Sequence, residues 1–132
     1  NRDVMNQLSI KRIYAPAEPA DGYRILIDRL WPRGIKKEDA QVDEWAKSVT
    51  PTTSLRQWFG HKEENYAEFA ERYRDELNHN PAASDFAYYI RMLLTDTPVT
   101  LLYGAKSETC NHAIILRDWI LSSTYSPSTP GK

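Results

Sequence analysis

The segment that spans residues 28–34, with the sequence DRLWPRG, concentrates the side chains of this chain that are best suited to chemistry. It follows the apolar run 25–27 and brings together a carboxylate, two guanidinium groups, an indole and a rigid Pro-Arg-Gly turn. Guanidinium groups are planar, permanently charged donors that match carboxylates and phosphates. A turn alone needs no such set, so we predict the rim of an anion-binding site to which Arg29, Arg33 and Trp31 contribute.

A second polar segment, residues 104–112, follows the apolar, β-favouring run 99–103 and leads into a predicted helix. The N-terminus of a helix offers free N–H groups and the positive end of the helix dipole, so it attracts anions. We therefore expect Lys106 and Asn111 to contribute to the same site, with Asn111 also the N-cap of the helix.

Asp28 and His112 are the candidates for acid–base chemistry. A histidine in the first turn of a helix can act as acid, base or neutral donor, and the helix N-terminus is expected to lower its pKa and keep it neutral. The alternative is that His112 only hydrogen-bonds the loop. His61, after Gly60, could fold toward the same edge.

The arginines have a structural alternative to ligand binding. Arg29 and Arg33 could instead form ion pairs that hold their loop to the next helix, and the candidate partners are Asp28, Glu38, Asp39 and Asp43. Arg24 lies within a predicted strand, where it is either paired or able to reach an anion from beneath. For Trp31, packing is favoured over stacking on a base.

Neither a metal site nor a cofactor is predicted. The three histidines are scattered, and a zinc site would need Cys110 and His112 to converge with Asp28 or His61. Cysteine catalysis of the phosphatase type is disfavoured, because six residues instead of five separate Cys110 from Arg117 and no glycine lies between them.

The periodicity of apolar residues indicates a mixed α/β chain. Strands are predicted at residues 8–14, 23–28 and 99–103, and helices at 38–49, 54–59, 66–77, 84–94 and 111–121. A long helical passage joins the second strand to the third, which implies that these two strands are parallel. The first strand is either an antiparallel edge strand or a partner reached by an unusual loop, because the loop after it is short.

The expected architecture is one small α/β domain, residues 8–121, with a short, mainly parallel sheet of three to four strands flanked by about five helices. Residues 1–7 and 122–132 are expected to be flexible tails. Open α/β sheets bind ligands beyond the carboxyl ends of their strands, so the two polar segments are expected to converge there.

Composition narrows the function classes. The chain has 132 residues and is 41% hydrophobic, which suffices for one domain core. A formal net charge of −1 argues against a dedicated nucleic-acid binder. The single cysteine favours a reducing, cytoplasmic setting, and no apolar run is long enough to suggest a membrane span.

Several short sequence motifs, which occur in the same order, resemble those of the YeaO-like proteins in the wider domain-of-unknown-function family four-eight-eight. They lie at residues 11–14, 21–34, 55–61, 69–73, 100–105 and 111–113. The resemblance spans about residues 10–120 and implies a compact α/β fold in a bacterial or archaeal cytosolic protein. It does not imply an activity.

Three functional hypotheses remain at this stage. The first is a site for a small anion such as a nucleotide or phosphorylated metabolite, in an enzyme or a former enzyme. The second is a nucleic-acid-binding or regulatory module, with the arginines on phosphates and Trp31 on a base. The third is a non-catalytic interaction domain whose tyrosines and tryptophans form a partner or homodimer surface.

Overall fold

A computed structural model describes residues 6–122. The strands are β1 (Leu8–Arg12), β2 (Tyr23–Leu26), β3 (Glu44–Trp45) and β4 (Val99–Tyr103). The helices are α1 (Lys37–Ala40), α2 (Thr53–Phe59), α3 (Tyr66–Asn78), α4 (Pro81–Leu93) and α5 (His112–Ser122). The predicted α/β class, with a short sheet and five helices in one small domain, is confirmed.

All four strands are parallel, in the order β1-β4-β2-β3. The predicted parallel pairing of the second and third expected strands is therefore correct; they are β2 and β4. The open question about β1 is also answered, because it runs parallel to β4 at one edge, with Leu8 opposite Val99. The short connection from β1 to β2 passes over β4, with a single 3₁₀ turn at Pro19–Asp21.

The predicted helix over residues 38–49 is wrong. The α-helix there is only the four-residue α1, whose C-cap Gln41 adopts a left-handed conformation with φ 50°. The chain then adds the two-residue strand β3 beside β2, with Trp45 opposite Leu26. Of the apolar residues at helical spacing, Trp45 lies in β3 and Val49 in a 3₁₀ turn at Lys47–Val49, while Val42 and Ala46 lie between elements.

The alternation of side chains along the strands divides the core into two parts. Ile25 and Leu101 face the larger cluster, which packs against α3, α4 and α5. Leu26 and Leu102 face a smaller cluster on the other side. Because both faces of β4 are covered, all five of its residues are buried.

The terminal predictions fall largely on residues 1–5 and 123–132, which lie outside the described part of the chain. Within it, the Asn6 N–H donates to the Leu94 carbonyl at 2.9 Å and the Val99 N–H donates to the Gln7 carbonyl at 3.2 Å. No helix within residues 6–122 combines the length and apolar character that a membrane crossing requires.

Candidate functional site

The carboxyl ends of β2 and β4 bring the two polar segments together. The Ile27 N–H donates to the Leu102 carbonyl at 2.9 Å, so the parallel pairing continues one residue beyond β2. One step further, the Gly104 N–H donates to Asp28 Oδ2 at 2.9 Å. A Cβ at position 104 would lie 2.7 Å from that oxygen, so the carboxylate occupies the space that any other residue's side chain would need.

His112 lies against the same carboxylate. Its Nε2 is 2.6 Å from the Ile27 carbonyl and 3.5 Å from Asp28 Oδ1. Since a carbonyl only accepts, Nε2 carries the proton and donates to Ile27, with Asp28 as a more distant neighbour. The side chains of His112 and Asp28 are 15% and 20% exposed, so both are largely removed from water.

Burial shifts the pKa values of this pair in opposite directions. It raises the pKa of Asp28, although His112, the Gly104 N–H, Arg56 and His61 act against it. It lowers the pKa of His112 more than Asp28 and the Ile27 carbonyl raise it. The expected direction for His112 is thus correct, but burial, instead of the helix N-terminus, is the largest cause. At neutral pH His112 is neutral, and Asp28 accepts a proton more readily than an ordinary aspartate.

This gives a pH prediction. Because the folded state lowers the pKa of His112 below its usual value, its contribution to stability is present at pH values above about 6.5 and is lost as the pH falls through the folded-state pKa. We expect the free energy of unfolding of the wild type to fall between about pH 6.5 and 5 by up to ~1.4 kcal/mol per pH unit relative to His112→Gln. Urea denaturation across that range measures the difference.

Glutamine serves as the comparison because its amide can still donate to the Ile27 carbonyl. Asp28 acts in the opposite sense, since its raised pKa stabilises the folded state as the pH falls. Because His112 lowers the pKa of Asp28, this stabilisation is larger in His112→Gln and increases the expected difference between the two curves. Parallel curves for the two proteins would contradict the prediction.

Three arginines surround the pair without forming an ion pair among the described residues. Arg29 donates to the Pro51 carbonyl at 3.1 and 3.2 Å, so it holds the segment before α2 through a backbone oxygen. Within residues 6–122 it forms none of the ion pairs with carboxylates that were the structural alternative predicted from the sequence. Arg33 and Arg56 are exposed, and neither side chain has a hydrogen-bond partner within residues 6–122.

These groups line one cleft with a volume of about 500 Å³. Its lining includes Asp28, Arg29, Trp31, Arg33, Arg56, Phe59, His61, Phe69, Gly104, Cys110, Asn111 and His112. Arg56 was not singled out from the sequence. It lies on α2 within the motif at residues 55–61 that carries part of the family resemblance, and that motif is the one feature of the sequence that could have indicated Arg56 as a site residue.

Asn111 and Trp31 line the cleft but are also held by the protein. Asn111 Oδ1 accepts from the Ile114 N–H at 3.0 Å, which confirms it as the N-cap of α5, and its Nδ2 donates to the Ser107 carbonyl at 2.9 Å. Trp31 Nε1 donates to the Ile35 carbonyl at 2.7 Å, and its ring meets Trp45 edge-on at 5.4 Å.

Two of the residues predicted for the site lie elsewhere. Lys106 is exposed and does not line the cleft. Arg24 is buried and donates to Asp21, to the Ala40 carbonyl at 2.8 Å and to the Gln41 carbonyl at 3.1 Å. It belongs to an internal ion pair, because its strand position places it before the carboxyl edge of the sheet. Within residues 6–122 no three His, Cys, Asp or Glu side chains are grouped so that they could hold a metal ion.

The protein is thus a small parallel α/β domain with a cleft at the carboxyl edge of its sheet. The chain belongs to the domain-of-unknown-function family four-eight-eight: residues 7–130 match the model described as "Inactive DUF488-N3 subclade".

The chain is 49% identical to "Uncharacterized protein YeaO" of Escherichia coli (strain K12) over 116 residues, which cover 87% of this chain and 97% of that protein. It is 36% identical to "Uncharacterized protein Rv3073c" of Mycobacterium tuberculosis (strain ATCC 25618 / H37Rv) over 110 residues, 83% of this chain and 90% of that protein. No solved structure gives a significant match.

Proposed function

We propose that the cleft binds a small anionic ligand, such as a nucleotide or a phosphorylated metabolite. The observation that carries this proposal is the convergence of Arg29, Arg33 and Arg56 on a cleft in which Asp28 is the one acidic side chain of the described lining. With His112 neutral, the local formal charge is positive, in a chain whose net charge is −1.

Two of the three guanidinium groups are available to a ligand. Arg29 is engaged with the Pro51 carbonyl, whereas Arg33 and Arg56 have no partner within residues 6–122. A charge-assisted hydrogen bond from guanidinium to phosphate contributes about 1.5–3 kcal/mol. A volume of about 500 Å³ suits a ligand of metabolite size.

The word "inactive" in the description of the matched family supports binding without turnover. Catalysis is the second candidate, and the opposite pKa shifts of Asp28 and His112 favour it, because perturbed pairs in clefts are typical of acid–base sites. Phosphorus NMR of the bound ligand over time separates the two: an unchanged ligand supports a binding protein, and a new signal supports an enzyme.

The first prediction of this proposal is a ligand-dependent thermal shift. A nucleotide or phosphorylated metabolite at about 100 times its dissociation constant should stabilise the wild type by about 2.7 kcal/mol, which raises Tm by several degrees. Arg33→Ala or Arg56→Ala should weaken binding by about ten-fold or more, which leaves at most about 1.4 kcal/mol at the same concentration.

Arg74→Ala is the matched control. Arg74 is an exposed arginine of α3 that does not line the cleft, so its loss changes the net charge equally and should leave the shift intact. A flat panel across small anions would overturn the proposal. A shift with single-stranded DNA or RNA alone, strongly dependent on salt, would favour the nucleic-acid module instead.

The single free thiol of Cys110 supports a cytoplasmic setting for this function.

A further inference from the structure

The position of Asp28 restricts which anions suit this cleft. A site that binds only a phosphate has no use for a carboxylate, because two like charges at short range repel each other. Asp28 nevertheless lies among the three arginines, and Gly104 leaves the space for it. The function of this carboxylate is therefore a separate question from that of the arginines.

One carboxylate oxygen of Asp28 accepts a hydrogen bond from the protein, and the other does not. Oδ2 accepts from the Gly104 N–H at 2.9 Å. Oδ1 has His112 Nε2 at 3.5 Å, but that nitrogen donates to the Ile27 carbonyl at 2.6 Å. Because the side chain retains 20% exposure and lines the cleft, Oδ1 is left as an acceptor for a ligand.

The arginines do not neutralise this acceptor. Within residues 6–122, Asp28 forms no ion pair with Arg29, Arg33 or Arg56. The cleft thus holds cationic donors and one anionic acceptor side by side, without contact between them. A ligand complementary to both must carry an anionic group and, at a distance from it, a neutral hydrogen-bond donor.

We propose that the ligand is a phosphorylated polyhydroxyl compound, a sugar phosphate or a nucleotide, whose phosphate binds Arg33 and Arg56 while a hydroxyl group donates to Asp28 Oδ1. This inference rests on the proposed function and specifies its ligand class. Acidic side chains recognise sugar hydroxyls in this way at the ribose of dinucleotides. Inorganic phosphate satisfies the arginines only, and leaves the acceptor without a donor.

The wild type tests this without any substitution. Methyl phosphate and ribose 5-phosphate share the phosphate monoester, but only the second carries hydroxyl groups. By isothermal titration calorimetry we expect ribose 5-phosphate or adenosine 5′-monophosphate to bind at least about ten-fold more tightly than methyl phosphate or inorganic phosphate, a difference of about 1.4 kcal/mol.

Asp28→Asn should abolish that preference. The asparagine carbonyl must face the Gly104 N–H, which turns its NH₂ group toward the cleft and replaces the acceptor with a donor. Ribose 5-phosphate should then bind no better than methyl phosphate, while inorganic phosphate should bind as tightly as to the wild type or more tightly. Glu108→Gln, at an exposed carboxylate outside the cleft, is the control for the lost charge and should keep the preference.

The outcomes separate this inference from the function on which it rests. If all phosphates bind equally to the wild type, the ligand class is wrong and the anion site stands. If the preference for hydroxyl groups survives in Asp28→Asn, the proposed role of Asp28 is wrong. If none of the probes binds, both proposals fail together.

Discussion

Replacing Gly22 with alanine is expected to lower the free energy of unfolding by about 3–5 kcal/mol, through backbone strain and steric overlap together. Gly22 has φ +66°, and a Cβ there would lie 2.0 Å from the Pro98 carbonyl oxygen. That oxygen also accepts from the Tyr23 N–H at 2.9 Å, where the pairing of β2 with β4 begins. Thermal denaturation should show a decrease in Tm of more than about 10 °C.

Gly34→Ala is the matched control for this change. Gly34 also has a positive φ, +83°, but nothing lies within 4 Å of the position that its Cβ would take. The free energy of unfolding of Gly34→Ala should fall by only about 1 kcal/mol, which is the cost of the strain of an alanine in the left-handed conformation. Equal losses in the two variants would mean that the close approach to Pro98 contributes nothing.

Asp21→Ala is expected to lower the free energy of unfolding by about 3 kcal/mol, which corresponds to a decrease in Tm on the order of 10 °C. Asp21 accepts from Arg24 and, at 2.9 Å, from Lys11, and the Asp21 and Arg24 side chains are only 8% and 6% exposed. Burial raises the pKa of Asp21, but hydrogen bonds from the Glu18 N–H, Lys11 and Arg24 lower it overall. Without this carboxylate, the buried Arg24 loses its ion-pair partner and Lys11 keeps only the exposed Glu18.

The control for Asp21 is the other acidic partner of Lys11. Glu18 binds Lys11 Nζ at 3.2 Å, but its side chain is 65% exposed, so Glu18→Ala should cost less than about 1 kcal/mol. Urea denaturation of both variants at neutral pH measures the two losses. If Asp21→Ala were as mild as Glu18→Ala, the buried carboxylate would not stabilise the fold through Arg24.

Long elements with a regular apolar period could be predicted from the sequence. The spacing of Tyr66, Phe69, Ala70, Tyr73 and Leu77 gave α3 almost to its ends, because a helix of this length repeats its buried face several times. The apolar runs of β2 and β4 gave the parallel pair, since the helical passage between them is long enough for a crossover.

Short elements could not be predicted in this way. The spacing of Val42, Trp45, Ala46 and Val49 is helical, yet Gln41 ends α1 and Trp45 lies in a strand of two residues. A two-residue strand has no period of its own. It exists because the Ala46 N–H donates to the Leu26 carbonyl at 2.9 Å and Trp45 Nε1 donates to the Asp28 carbonyl at 2.7 Å, which are contacts between distant parts of the chain.

The candidate site could likewise be predicted only where it depends on regular elements and not on contacts between distant parts of the chain. Asp28 and His112 come together as expected, since each follows a predictable strand end. Arg56 enters the cleft only because α2 is placed there by the segment that Arg29 anchors. Arg24 was grouped with the ligand-binding arginines because residue type alone does not distinguish a buried ion pair from a binding site.

The order of the strands has a consequence for the synthesis of this protein. The central strand β4 is the last of the four to leave the ribosome, and until it is available β1 has no neighbour to pair with. The earlier segments can form helices, but β1 and β2 cannot join into one sheet until β4 is available, so the assembly of the sheet depends on contacts distant in sequence. The hydrogen bond between Asp28 and Gly104, two residues that line the cleft, forms in that same step.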